Sequence, residues 1–497
     1  MNFFHHKIHK ISAVLSASVA LTALTCTGVL ASFPIDTSFG TNGIVELDPS
    51  SAQDSITDIA IQTDGKVVVV GTMDGGDSFI ARFEGNGSLD TSFGSSGIAF
   101  IDVPGGIFDT HTAVVIQSTG KIVVAGQSED IVSGIRFAYA LRVTSTGILD
   151  TSFGTSGFTT FSAAFPIDTH GMSLDGNGKI QIVGRFEGPN DDGMALRMTA
   201  DGELDPTWDG DGVLAIDTGS DDELYGVTAQ ADGKVLLVGK AYVGGVYTDQ
   251  LLARRESNGS ADSTFGAAGM VLTDFYTRND VGMEVGVNSD GTIVVGGVMD
   301  TIFHIDPVVT RYSPTGGLDT SFGSVGFNGL GYGGDQTIGS MSLQSDGSVY
   351  LFGYAYNGSS SVVIAKWNSS GYLDSTFNDS GVMFYDPTPG DEVINAGAVT
   401  TDGHIYVAGH RTTDPSQGKA LLARLGEPTL TSTTTSTSTS TSIGTTTTSG
   451  HHSTTTTTGV EDTLVITGIG VGRSIGWLFM LIIAGLAMFA VRRRTTT

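Results

Sequence analysis

Leu89-Asp90-Thr91-Ser92-Phe93-Gly94 is one of seven versions of a single phrase: an aspartate, two short residues, an aromatic and a turn-forming residue. The other copies begin at Asp36, Asp150, Asp205, Asp262, Asp319 and Asp374, at successive intervals of 54, 60, 55, 57, 57 and 55 residues. A period of that size marks one supersecondary unit repeated seven times.

Around the first phrase, Gly43 to Leu47, Ile56 to Thr63, Lys66 to Gly71 and Phe79 to Phe83 are short apolar or β-branched runs of strand length, separated by turn residues. Every copy carries a two-residue turn ending in glycine between its second and third runs, from Asp64-Gly65 through Asp232-Gly233 to Asp402-Gly403. Such pairs suit positive φ and predict a tight antiparallel hairpin. The residue after the repeated aromatic is Gly40, Gly94, Gly154, Asp209, Gly266, Gly323 or Asn378. These are the types that tolerate left-handed backbone, so the position reads as a turn requirement.

Four antiparallel strands per copy and no helical periodicity predict an all-β fold, a seven-bladed β-propeller of four-stranded antiparallel blades. A parallel solenoid is disfavoured because a hairpin in every unit stops the chain winding one way. The repeats begin with one strand and end after three, at Leu425. The Gly43 to Leu47 strand is therefore expected to complete the last blade, with Ile56 to Thr63 innermost in blade 1 and Ile98 to Asp102 at its outer edge.

The series L-D-T-S-F-G-x-x-G, Q-x-D-G-K, V-V-V-x-G and A-R-[FYL] across residues 36 to 425 resembles the delta-60 repeat family of bacterial surface proteins. The resemblance implies a propeller-type repeat domain on an exported protein and brings no established catalytic residues. The departures are Trp208-Asp209 for Phe-Gly, Lys366 for arginine and Asn378 for glycine.

The ends suggest an address. A basic segment with Lys7 and Lys10, a mostly apolar stretch over 11–30 and Val29-Leu30-Ala31 before Ser32 read as a signal peptide over 1–31, cut between Ala31 and Ser32. The single cysteine, Cys26, precedes that cut, so the mature chain is expected to carry no disulfide. The propeller region is assigned to 32–428. A Thr/Ser-rich stalk follows over 429–458, a composition that cannot bury a core.

A linker over 459–474 contains Leu464-Val465-Ile466-Thr467-Gly468, which looks like the L-P-x-T-G sorting signal with valine in place of proline. The uncharged run 475–491 reads as a short transmembrane helix, and the tail 492–497 opens with Arg492-Arg493-Arg494, which places it in the cytoplasm. The resemblance implies cleavage between Thr467 and Gly468 by a sortase and attachment to peptidoglycan; the alternative is a plain membrane anchor. Both put the propeller outside the cell.

The formal net charge of -28 argues against nucleic acid as a partner. An acid recurs before each inner strand: Asp54, Asp109, Asp168, Asp222, Asp280, Asp335 and Glu392. These acids are expected to circle one mouth of the central channel, where they would hold a divalent cation such as calcium, or else cap the turn between blades. Arg82, Arg142, Arg197, Arg254, Arg311, Lys366 and Arg424 recur in the third strand, eight residues before the next phrase where one follows, and predict a structural Arg-Asp contact.

The copies differ most in the connections after the V-V-V-x-G strand, which hold Asp74, Asp77, Glu129, Asp130, Asp191, Asp192, Tyr242, Tyr247, Phe303, His304, Tyr354, Tyr356, His410 and Arg411. Loops on a rigid scaffold favour recognition, and tyrosines beside acids suit a sugar or peptide. Asp205, Asp209 and Asp211 form only a fragment of a calcium loop, and His111, His170, His304, His404 and His410 show no metal-ligand spacing. The sequence therefore favours a non-catalytic binding or adhesion module for an extracellular glycan or protein. A polysaccharide hydrolase built on two converging carboxylates and a passive surface spacer are the alternatives.

Overall fold

The computed structural model describes residues 35–426 apart from 51–52, 74–75, 357–359, 387–389 and 415–416. The chain divides after Leu430, and the second unit, Thr431–Thr497, lies outside the described residues. The expected signal peptide with Ala31 and Ser32, the stalk, the sorting motif Leu464, Thr467 and Gly468, the apolar span and the arginine tail all fall outside them, as does Asp74.

Seven four-stranded sheets, all paired antiparallel, form the seven blades, and no described residue is helical. Blade 1 runs from Asp54–Ile61 at the axis through Val67–Met73 and Ser78–Phe83 to Ile98–Phe100 at the rim. The two middle strands of a blade are buried on both faces because neighbouring blades stack against them. That environment selects the unbroken run Val67-Val68-Val69-Val70, in which every side chain is fully buried, over an alternating pattern. The core is accordingly divided into slabs between blades. The slab between blades 7 and 1 joins Tyr406, Ala408 and Leu422 to Ile56, Val69 and Phe79.

The ring closes as the strand count requires. Ile44–Leu47 pairs with Gln417–Leu425 in the register Ile44↔Ala423 to Leu47↔Ala420, and becomes the outer strand of the blade that begins with Asp391–Val399. The hairpin differs in detail from the two-residue turn read from sequence. Gln62 and Lys66 close a three-residue loop, with Gly65 at φ 83° as its left-handed last member, because Lys66 O accepts from Gln62 N while Gly65 N donates to Gln62 O.

The repeated phrase is a clamp between successive blades. Asp90 Oδ1 accepts from the backbone N and hydroxyl of Ser92, and its Oδ2 takes Arg82, which also lies 4.7 Å over the ring of Phe93. Ion pairs of 2.7 or 2.8 Å repeat at Arg142–Asp150, Arg197–Asp205, Arg254–Asp262, Arg311–Asp319 and Arg424–Asp36. The free arm of each guanidinium then crosses to the next blade: Arg142 donates to Ala200 O at 2.8 Å, Arg311 to Ser369 O at 2.8 Å, and Arg424 closes the circle on Gly85 O.

The left-handed residue after the aromatic adds a second stitch, as Gly94 N donates to Thr146 O and Asp209 N to Asn258 O. Positive φ holds at all seven such positions, including Asp209 at 49° and Asn378 at 47°. At Gly94 a Cβ would also meet Ile98 O at 2.3 Å.

Lys366 is the weak copy. Its ion pair with Asp374 is 3.2 Å long, and its ammonium lies over Tyr350 and not over the repeated aromatic. A point charge reaches one acceptor where the planar fork reaches two and stacks as well. Arg254→Lys should therefore keep the pair with Asp262 and lose the bond to Pro314 O, lowering stability by about 1.5–3 kcal/mol in chemical denaturation. A loss under about 0.5 kcal/mol would show that the crossing bond contributes nothing to the ring.

Candidate functional site: the axial channel and its mouth

Each inner strand is interrupted by a β-bulge at a common position, where the extra residues are Thr57, Thr112, His170, Tyr225, Met283, Gly339 and Asn395, and the inner strand of blade 2 has a second irregularity between Ile107 and Thr110. Bulges twist a strand and re-aim side chains. Here they bring the strands together around an axial cavity of about 120 Å³ whose wall includes Thr57, Asp58, Thr112, His170, Glu284 and Asn395. The approach is close enough that a Cβ on Gly171 would meet Tyr225 O at 2.4 Å, and one on Gly339 would meet Asn395 O at 2.1 Å.

The residue after each bulge is small in five blades, Ala113, Gly171, Gly226, Ser340 and Ala396, but is Asp58 in blade 1 and Glu284 in blade 5. Asp58 accepts 2.8 Å bonds from Ile59 N and from Val114 N of the next blade. Both residues are half-buried, and both line this cavity. Burial pushes Asp58 up to about 6 against the pull of those two N–H groups. Burial, with Asp58 as a second cause, pushes Glu284 up to about 8.

The seven recurrent acids lie at the channel-mouth end of the inner strands, yet the side chains of most are buried. Asp54 accepts from the backbone and hydroxyl of Ser50, Asp109 from Val103 N and Ser128 Oγ, Asp222 from Thr218 N and Oγ1, and Asp280 from Phe275 N. These four cap the turns that enter their own blades. Glu392 is likewise buried, 3.7 Å from Arg411.

Asp168 and Asp335 stand one residue out of step. The capping register belongs to Ile167 in blade 3 and to Gln336 in blade 6, whose amide donates to Tyr332 O, and Asp335 is exposed. Burial pushes Asp280 up to about 7, with Asp274 and Asp249 adding to it. Among the described residues no group of three or more His, Cys, Asp or Glu side chains is arranged to hold a metal.

Blades 3 and 4 break the symmetry at the mouth. Glu223 receives Lys240 at 2.7 Å and His170 Nε2 at 2.8 Å; Lys240 also donates to Tyr225 Oη, and His170 stacks on Tyr225 at 4.9 Å. Arg185 bridges Asp168 and Asp191. Other blades carry Ser55, Thr110, Val281, Thr337 or Val393 at the position of Glu223. Burial opposes ionisation of Glu223, but bonds from His170 and Lys240 outweigh it and hold the carboxyl well below the usual range. Burial and Glu223 push Tyr225 up to about 12, so its hydroxyl is no ready base.

The loop residues fall around this mouth. Asp77, Phe303 and Tyr356 are exposed, while Glu129, Asp130, Asp192, Tyr242, Tyr247, His304, Tyr354 and Arg411 are half-buried. Asp130 caps its own turn at Ser133, His410 Nδ1 lies 3.1 Å from Ser55 Oγ of blade 1, and Arg411 pairs with Glu46. The calcium-loop fragment is not assembled, since Asp205 is committed to Arg197 and Lys179 and Asp211 caps Val213. An open groove of about 460 Å³ lies elsewhere, between the outer parts of blades 2 and 3, against Thr155, Thr159 and Glu203.

A family model described as a β-propeller domain of unknown function, DUF5122, matches residues 62–93, 117–153, 230–265 and 344–377. Each matched stretch runs from a glutamine at the hairpin, Gln62, Gln117, Gln230 or Gln344, to the aromatic of the repeated phrase. The unmatched blades 3, 5 and 7 have Asp175, Asn288 and Thr400 in place of that glutamine.

Among solved structures the chain is similar to the polysaccharide lyase Uly1, at 12% identity and TM-score 0.44 over 74% of this chain and 89% of that one. It is also similar to the β-propeller domain of the Trilobed protease from Pyrococcus furiosus, at 12% identity and TM-score 0.42 over 76% and 94% of the two chains. A protein of unknown function from Dyadobacter fermentans DSM 18053 matches at 11% identity and TM-score 0.40 over 63% and 93%. No curated protein matches the sequence.

The raised carboxyls fix a pH dependence. A group whose folded pKa lies above its unfolded value binds more protons in the fold, so its stability is present at low pH and lost as pH rises through the folded value. For Glu284 that loss spans from the ordinary carboxylate range up to about 8. With chelator present, Glu284→Gln should raise stability on the order of 2 kcal/mol at pH 9 and leave it unchanged at pH 5. An equal effect at both pH values would contradict the raised pKa.

Proposed function

We propose that the protein is exported, attached to the cell envelope through its C-terminal segment, and binds an extracellular polymer or protein partner with the face around the channel mouth, without catalysing a reaction. The observation that carries this reading is the uneven display of large apolar side chains. The inner strand runs away from the mouth and the second runs back, so the connections between second and third strands and between blades share one face. That face exposes Phe108, Val132, Phe165, Tyr276, Phe303 and Tyr356, with Val132 at 91% and Phe303 at 81% of full exposure. The opposite face, which carries the hairpins and the clamps, exposes Ile148, Leu318, Val325 and Tyr372.

Apolar groups clustered on one rim favour association, and aromatic rings set among carboxylates suit the faces and hydroxyls of a sugar chain. The hydrolase alternative is the weaker reading. The coupled carboxyls Asp58 and Glu284 meet in a cavity of about 120 Å³, far below the roughly 300–1,000 Å³ of small-molecule sites. The exported location rests on the leader-like first 31 residues and on the order of sorting-like motif, apolar run and arginines at the other end.

Sedimentation of the labelled protein with purified cell walls and insoluble polysaccharides tests this. Phe303→Ala and Tyr276→Ala should each weaken binding about tenfold, equivalent to about 1.4 kcal/mol, while Tyr372→Ala on the opposite face leaves it unchanged. Equal losses from both faces would sink the assignment of the mouth as the binding face.

A further inference from the structure

The axial channel presents an electrostatic problem that the fold alone does not solve. Asp58 and Glu284 come from blades 1 and 5, across the axis from one another, and both line the same cavity of about 120 Å³. Among the described residues no lysine or arginine lines it, and the one other titratable group in the wall is His170, whose Nε2 is already engaged by Glu223. Two carboxylates that share so narrow a cavity repel, and each resists ionisation unless an opposite charge is supplied.

Glu284 is the independent pointer to a ligand. Its carboxyl is enclosed by protein on every side but the channel, it faces that channel, and among the described residues it has no hydrogen-bond partner. Asp58, by contrast, is held in place by Ile59 N and Val114 N. A side chain so enclosed and unpartnered is rare unless something fills the space before it.

The surrounding donors define what that would be. Thr57 Oγ1 donates its proton to His111 O, which leaves the lone pairs of the hydroxyl open to the channel. Asn395 spends its Nδ2 on Ile56 O and Ser55 Oγ, so its amide oxygen is the atom left to accept. Two carboxylates with neutral hydroxyl and amide oxygens, and no sulfur, form the donor set of a hard divalent cation. The volume equals about four waters at roughly 30 Å³ each, enough for one ion and a partial hydration shell but not for an organic ligand.

We propose that the axial channel holds one calcium-type divalent cation between Asp58 and Glu284, with Thr57 and Asn395 supplying neutral oxygen ligands. The site differs from the row of acids at the channel mouth, most of whose members are engaged as caps or ion pairs, and it does not depend on what the mouth binds. An ion there would tie blade 1 to blade 5 across the ring and remove the repulsion that otherwise weakens the fold as pH rises.

The test uses the purified full chain, stripped with chelator at pH 8, and follows thermal unfolding with and without millimolar CaCl2, together with MnCl2 titration by electron paramagnetic resonance. The expected result is a midpoint rise of several degrees and one tightly bound manganese per chain. Glu284→Gln should abolish both, while its own midpoint in chelator equals or exceeds that of the parent, which shows that it folds. Asp222→Asn, which removes a capping acid, should keep the rise. Absence of a rise in the parent protein, with no tight manganese, would overturn the proposal in favour of a shared proton. A rise that persists in Glu284→Gln would overturn it in favour of diffuse binding to the acidic surface.

Discussion

A buried guanidinium held simultaneously by a carboxylate, an aromatic ring and a carbonyl of the next blade is the contact on which this ring depends. The hydrophobic slabs between blades are broad and non-directional, and they would tolerate a range of blade angles. The Arg-Asp-aromatic clamp has direction. Arg254 sits between Asp262 and the Phe265 ring, and its remaining arm reaches Pro314 of the following blade. Repeated at six of the seven junctions, with Lys366 as the weak copy at the other, it sets one inter-blade step, and the last of these steps returns from Arg424 to Gly85 of blade 1.

The same clamp explains why the phrase is the part of the repeat that recurs most faithfully. Its aspartate accepts from a residue two positions on and, in five of the seven copies, from an arginine eight positions back, so its spacing in the chain is fixed by bond geometry. Trp208 can replace phenylalanine because a larger ring still lies under Arg197, at 4.5 Å. Asp209 and Asn378 can replace glycine because both tolerate the left-handed backbone the turn imposes.

The fold was largely legible in the sequence for this reason: the phrase, the glycine of the hairpin and the count of strands at the two ends are local signals, and each maps to one feature of the ring. The channel was not. Thr57, Thr112, His170, Tyr225, Met283, Gly339 and Asn395 share a bulge but no chemistry, so comparison of the repeats cannot align them. The row of acids was visible as a row, but its register slips by one residue at Asp168 and Asp335, and a cap cannot be told from a ligand without knowing where the side chain turns. The available signal for the channel was Asp58 and Glu284 themselves, charges set inside otherwise apolar inner-strand runs where the other copies place Ala, Gly or Ser.

The closing blade also decides how the ring meets mechanical load. The chain leaves the described propeller at the end of Gln417–Leu425, on the face of the hairpins, and that strand lies between Ile405–Asp414 on one side and Ile44–Leu47 on the other. The ladder hydrogen bonds of that strand run across it, so a pull directed along the strand would load them in shear. Under such a pull the bonds to both neighbours are strained together and cannot be peeled away one at a time. Because one neighbour comes from the beginning of the chain, tension entering at one end of the domain is resisted by the other.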